Sequence, residues 1–155
     1  MKIKVCGITR EEDIAELLLA GVDFIGFNFI KSSPRYIDIN WAVNIINKYN
    51  IQKKAVPLCE ISDLKTVHHK LKNLDLPFYQ IYKVNDSSNQ IEKFNLNYFL
   101  PTSATKLKQN IDNNLFIGNK DKYLLDNFDH GLGGSGIKFN WNDLANIKLD
   151  NCMIA

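Results

Sequence analysis

An α/β fold with a parallel sheet is predicted by three features of the chain. Short runs of strand-forming residues recur along it. Segments of helical periodicity separate them. Its 155 residues leave room for about seven such pairs within one domain. A strand, a crossover helix and a second parallel strand form a right-handed unit. The candidates are therefore a doubly wound sheet and a (β/α)8 barrel.

The elements follow in order. Lys2 to Cys6 reads as a strand. Thr9 and Glu12 have capping-box spacing, T-x-x-E, so a helix is predicted to start there. Ile14, Leu17 and Leu18 share a face of it, and Gly21 ends it. Phe24 to Phe29 is the second strand, and the loop KSSPRYID, residues 31 to 38, is fixed by Pro34. Trp41 to Tyr49 is helical, with Val43, Ile45 and Ile46 for burial. Lys54 to Leu58 is the third strand, and Ser62 caps a helix reaching Leu71. Phe78 to Tyr82 is the fourth strand. A short helix over Ser88 to Phe94, a strand over Tyr98 to Pro101 and a helix over Thr105 to Ile111 follow on weaker patterns. Tyr123 to Asp126 is the sixth strand, GLGGSG at 131 to 136 a loop, and Asn140 to Ile147 a capped helix. Cys152 to Ala155 opens a seventh strand.

Composition excludes several classes. The apolar share is 45% and the charged share 23%, as in ordinary globular proteins. A net charge of +2, with 19 basic residues scattered among 17 acidic ones, offers no footprint for nucleic acid. The longest apolar run, FIGFNFI, is broken by Gly26 and Asn28, so no membrane span is expected. The N-terminus lacks the apolar stretch of a signal peptide. Three cysteines, Cys6, Cys59 and Cys152, show no CxxC spacing. Neither a disulfide framework nor a zinc site is expected, and the cytoplasm is the natural compartment.

Few residues are candidates for chemistry. Cys6 ends the first strand, where α/β proteins build sites, and the next helix's dipole would favour a thiolate. The competing reading is core filler, because free cysteine is often buried. Asp126 ends YLLD at the same end of the sheet, as an acid–base group or as a loop cap. Arg35, on the Pro-fixed loop, suits carboxylate or phosphate recognition, or is a solvated surface arginine. GLGGSG matches the dinucleotide fingerprint, but it does not open a helix directly after a first strand. It reads better as a loop whose amides face an anion, or as a plain surface loop. His68 and His69 are adjacent on a helix, so they face different ways and are assigned to the surface. His130 is a weak candidate beside the glycines. Cys59, Met153, Phe24, Phe27 and Phe29 are assigned to the core.

KVCGIT, then GVDFIGFNFIKSSPRYI, then YLLD, then GGSGIKFNW, in this order, resemble the phosphoribosylanthranilate isomerase family of tryptophan biosynthesis. The resemblance implies a cofactor-free and metal-free (β/α)8 (TIM) barrel that performs an Amadori rearrangement of N-(5-phosphoribosyl)anthranilate, a small phosphorylated substrate. It implies Cys6 as general base, Asp126 as general acid and Arg35 in substrate binding. Gly133, Gly134, Ser135 and Gly136 would close over the site.

Some positions depart from the family pattern. Strand three reads AVPLCE where the family is GVF-like, and Pro57 removes a ladder donor. Strand four reads QIYK, with Tyr82 where the family has histidine. Ile137 and Asn140 stand in the glycine-loop motif where the family has lysine and aspartate. The chain ends at CMIA, where the resemblance implies a further glycine motif and an eighth strand carrying the phosphate site. The expectation is an incomplete barrel of about seven βα units. A homodimer or a partner chain would cover its open edges. The alternative reading is a non-catalytic remnant or binding module of the same fold.

Overall fold

The computed structural model describes residues 2–82, 91–112, 122–126, 142 and 152–154. Contacts group the chain into two compact units, residues 1–97 and 98–155.

In the first unit, β1 (Lys4–Cys6), β2 (Phe24–Asn28), β3 (Ala55–Glu60) and β4 (Tyr79–Tyr82) pair in that order, all parallel. Helices α1 (Glu11–Leu19), α2 (Ile39–Lys48) and α3 (Leu64–Leu71) connect them. Parallel strands are covered on both faces, which is why β2 and β3 are buried nearly throughout. Ile14, Ile25, Phe27, Ile46, Leu64, Leu71 and Ile81 form the heart of this core.

The helix ends differ from the sequence reading at two places. The T-x-x-E box at Thr9 does not form: α1 starts at Glu11 behind an extended Arg10, with no side-chain cap. Arg10 instead pairs with Asp13 in the first turn. Ser62 is not a cap either, because it lies within a 3-10 turn, Ile61–Asp63, that precedes α3. Asp38 caps α2, its carboxylate accepting from the amides of Asn40 and Trp41 at 2.8 and 3.2 Å. Gly21 ends α1 as predicted. Its φ of +73° lets its amide and that of Val22 reach back to the carbonyls of Leu18 and Leu17.

Pro57 is accommodated by the phase of the ladder. The carbonyls of Lys54 and Leu58 accept from β2 at 2.8 Å, so even-numbered residues of β3 face β2. The Pro57 nitrogen therefore faces β4, and the β3–β4 pairing begins one residue later, at Leu58 and Gln80.

The register sorts side chains onto two faces. Lys4, Cys6, Phe24, Gly26, Asn28, Val56, Leu58, Glu60, Gln80 and Tyr82 share one, polar toward the strand ends. On this face the Lys4 ammonium donates to the Gln80 carboxamide oxygen, from β1 to β4. In a flat sheet those strands would lie about 14 Å apart with parallel side chains. The bond therefore requires this sheet to curl, with the polar face concave.

The second unit contains β5 (Tyr98–Thr102), α4 (Ala104–Asp112), β6 (Lys122–Leu125) and β7 (Cys152–Ile154). The three strands are parallel and in sequence order. Leu100, Tyr123, Leu125 and Cys152 pack with Ala104 and Leu107 of α4. Ser103 caps α4, its hydroxyl accepting from the Lys106 amide at 3.2 Å. The glycine loop and the helix expected at 140–147 lie outside the described residues, Asn142 excepted, as do residues 88–90 of the short helix expected over 88–94.

Candidate active site

Cys6 ends β1 on the concave polar face, half-buried. Opposite it in β2 stands Gly26, and the missing side chain makes room for the thiol: a Cβ on Gly26 would lie 2.6 Å from Cys6 Sγ. Gly7 follows with φ +80°, a left-handed turn that L side chains rarely adopt, and its amide donates to the Gly26 carbonyl at 3.1 Å. The turn presents a bare backbone surface, and the Arg35 side chain lies on it. A Cβ on Gly7 would fall 2.4 Å from Arg35 Cδ and 2.8 Å from Nη1. Arg35 Nη1 donates to the Cys6 carbonyl at 3.5 Å.

The Arg35 loop is itself held from β2. Asn28 is 5% exposed. Its Oδ1 accepts from the Ile30 amide at 2.9 Å, and its Nδ2 donates to Ser33 Oγ at 3.0 Å. That hydroxyl also accepts from the Arg35 amide at 3.2 Å. The Ile37 amide closes the loop on the Asn28 carbonyl at 2.9 Å.

The three cysteines occupy different environments. Cys59 sits on the opposite, helix-covered face of β3, fully buried, as assigned from sequence. Burial, followed by the charges of Asp63 and Glu60, pushes its thiol up to about 12. It is no nucleophile at neutral pH. Burial raises Cys152 too. Cys6 is the cysteine on the polar face.

On the same face Gln80 Nε2 donates to the Tyr82 hydroxyl. Lys4, Gln80 and Tyr82 thus form a polar chain across the concave side, and Tyr82 stands at the C-terminal end of β4.

In the second unit Asp126 directly follows β6, half-buried, its amide donating to the Thr102 carbonyl at 3.0 Å. Two residues past Leu124, it continues the strand face turned away from α4. The structure thus brings Cys6 and Arg35 together, and places Asp126 at the corresponding strand end of the other unit. Gly133, Gly134, Ser135, Gly136 and His130 lie outside the described residues.

His68 departs from its surface assignment. It is half-buried, its ring 6.1 Å from that of Tyr79 and 5.3 Å from that of Phe94. Among the described residues its buried Nδ1 has no hydrogen-bond partner, and burial pulls its pKa down. His69 is exposed. Among the described residues, no three His, Cys, Asp or Glu side chains gather as metal ligands. No described helix is long and apolar enough to cross a membrane.

Sequence reasoning missed Lys4, Gly7, Gly26 and Asn28. The signals were present: Lys4 and Cys6 alternate onto one face, and a glycine and an asparagine interrupt an otherwise apolar strand.

Parallel βα units whose strands pair in sequence order, with a first sheet that curls, have the architecture of the (β/α)8-barrel class. Solved structures agree. Phosphoribosyl anthranilate isomerase from Thermotoga maritima matches with a TM-score of 0.72 at 21% identity, over 93% of this chain and 70% of that one. The family described as N-(5'phosphoribosyl)anthranilate (PRA) isomerase matches residues 3–155, and the chain belongs to it. It is 36% identical to the tryptophan biosynthesis protein TrpCF of Buchnera aphidicola subsp. Baizongia pistaciae, over 98% of this chain and 32% of that protein. It is 33% identical to the N-(5'-phosphoribosyl)anthranilate isomerase of Trichlorobacter lovleyi, over 91% of this chain and 68% of that protein. The chain thus spans about a third of the former and two thirds of the latter.

Proposed function

We propose that the chain is a phosphoribosylanthranilate isomerase acting by general acid–base catalysis. The observation that carries this reading is the guanidinium of Arg35 seated on the Gly7 turn beside Cys6, an anion-binding group next to a thiol at a strand end. Asp126 gives its proton to the ribose ring oxygen as the C1–O bond breaks, and the glycosylamine nitrogen's lone pair forms the Schiff base. Cys6, as thiolate, takes the proton from C2. The C2–H electron pair moves into a C1–C2 double bond, and the iminium nitrogen recovers its lone pair. The resulting enolamine tautomerises to the ketone. One acid and one base suffice, and the substrate's nitrogen is the electron sink, so no cofactor or metal is called for. Arg35 holds an anionic group of the substrate, and Gly133 to Gly136 close over it.

We further read the chain as one barrel domain working in the cytoplasm. A second copy or another chain could pair with the outer edge of β1.

The test is turnover of phosphoribosylanthranilate by the purified chain, followed through loss of its anthranilate fluorescence, beside an Asp126→Asn control. Loss that requires Asp126 supports the enzyme. No loss above the control, from protein that unfolds cooperatively, would favour the binding module instead. Light scattering of the same sample gives its oligomeric state.

A further inference from the structure

We propose that Asn28 is a positioning residue for Arg35, acting through Ser33, and so a determinant of substrate affinity. The inference rests on the reading of Arg35 as a substrate-binding group. An asparagine at the end of a core strand is costly to bury unless its amide is satisfied. Asn28 is 5% exposed, and both ends of its carboxamide are used. Neither bond goes to a neighbouring strand. Oδ1 holds the first amide of the loop, at Ile30. Nδ2 holds the hydroxyl of Ser33, and that hydroxyl receives the Arg35 amide. The chain of bonds runs from a rigid strand to the backbone of one residue, Arg35, with its main-chain end closed by Ile37 on the Asn28 carbonyl.

The alternative way to fix such a loop is apolar packing, and the loop offers little of it. Residues 31, 32, 34, 35 and 36 are all exposed, and Ile37 is the buried anchor. A flexible arginine of this kind loses rotamer and backbone freedom when it binds an anion. The Asn28–Ser33 clamp removes the backbone part of that cost beforehand, while the Gly7 surface limits the side chain. Substrate affinity should therefore depend on Asn28 although it need not touch substrate.

The test uses Asn28→Ala, with Ser33→Ala as a second variant that cuts the same link from the loop side without opening the core. Two readouts are taken. Trypsin cleavage of the native chain after Lys31 or Arg35, located by mass spectrometry, reports the loop without requiring activity. It should accelerate about tenfold in either variant, the change that losing about 1.4 kcal/mol of local protection gives. In steady-state turnover of phosphoribosylanthranilate, KM should rise about tenfold with kcat changed much less. Combined with Arg35→Met, neither variant should add a further loss, because both would act through the same guanidinium.

Wild-type cleavage and wild-type KM in both variants would overturn the proposal. Additive losses with Arg35→Met would overturn it as well, since Asn28 would then act elsewhere. If Arg35→Met itself leaves KM unchanged while cleavage accelerates in the variants, the clamp stands and the reading of Arg35 as a substrate group fails.

Discussion

Gly7 and Arg35 share one space: the position a Cβ on residue 7 would take lies 2.4 Å from Arg35 Cδ. The residue after the thiol is bare so that the guanidinium can lie across it. Gly7→Ala faces two penalties, a left-handed φ of +80° and this overlap. Together they should cost about 2 kcal/mol of stability. Arg35 must also move, so KM should rise. Urea titration and steady-state kinetics check both effects. An alanine variant of wild-type stability and KM would mean that the turn is not built for the arginine.

Gly26 tests the other side of the thiol. Its backbone is ordinary strand, so alanine brings no torsional strain. The new methyl would meet Cys6 Sγ at 2.6 Å, and the Cys6 Cα and Leu58 Cδ1 at 3.1 Å. Overpacking of this kind costs about 1–3 kcal/mol. The expected outcome for Gly26→Ala is a cooperatively folded protein with kcat lowered at least tenfold and an altered rate of Cys6 alkylation by iodoacetamide. Unchanged alkylation and turnover would mean that the thiol position is indifferent to the chemistry.

These two glycines mark the limit of what the sequence made legible. The strands and the carboxyl-end placement of Cys6 and Asp126 follow from hydrophobic periodicity and element alternation, which are local signals, whereas periodicity left a doubly wound sheet and a barrel open and the barrel rested on the family resemblance. Helix starts were less readable. The spacing at Thr9 and Glu12 suggests a capping box, yet α1 starts at Glu11 behind Arg10 with no side-chain cap, and Asp38, an effective cap, lies hidden in the loop. The roles of Gly7, Gly26 and Asn28 depend on register between strands about 20 residues or more apart in sequence, or on loop closure. Pro57 looked wrong for an interior strand because phase against each neighbour cannot be read from one strand alone.

The Lys4–Gln80 bond gives a stability test on the same face. Lys4 is half-buried, and its ammonium is held by a neutral amide three strands away. Gln80→Leu keeps the volume and removes the acceptor, as well as the donor to Tyr82. Leaving a charged donor partly buried without its acceptor should cost about 1–3 kcal/mol. Lys4→Met combined with Gln80→Leu should recover part of that loss, because both partners of the pair are then apolar. Urea midpoints of the four proteins complete the cycle. A double variant less stable than Gln80→Leu alone would mean that the two residues do not act as a pair.

Cys59 and Tyr79 predict how the fold responds to alkali. Burial lifts the Cys59 thiol from 9.0 to about 12, with Asp63 and Glu60 adding to it. Burial likewise lifts the Tyr79 phenol from 10.0 to about 12, with Cys59 adding to it. Below about pH 8 both groups are largely protonated in folded and unfolded chains alike and add little pH dependence. Between about pH 9 and 12 the unfolded chain releases these protons while the folded chain retains them. The unfolded state then binds fewer protons, so stability falls as pH rises, at up to ~1.4 kcal/mol per pH unit for each group. Cys59→Ala leaves a small cavity, which lowers stability at every pH, but it removes the Cys59 contribution to the alkaline slope. Urea titrations at about pH 8, 9.5 and 10.5 separate offset from slope. A shallower alkaline decline in the variant is the expected result. Parallel declines would mean that the Cys59 thiol ionises alike in both states and that its burial does not control its proton.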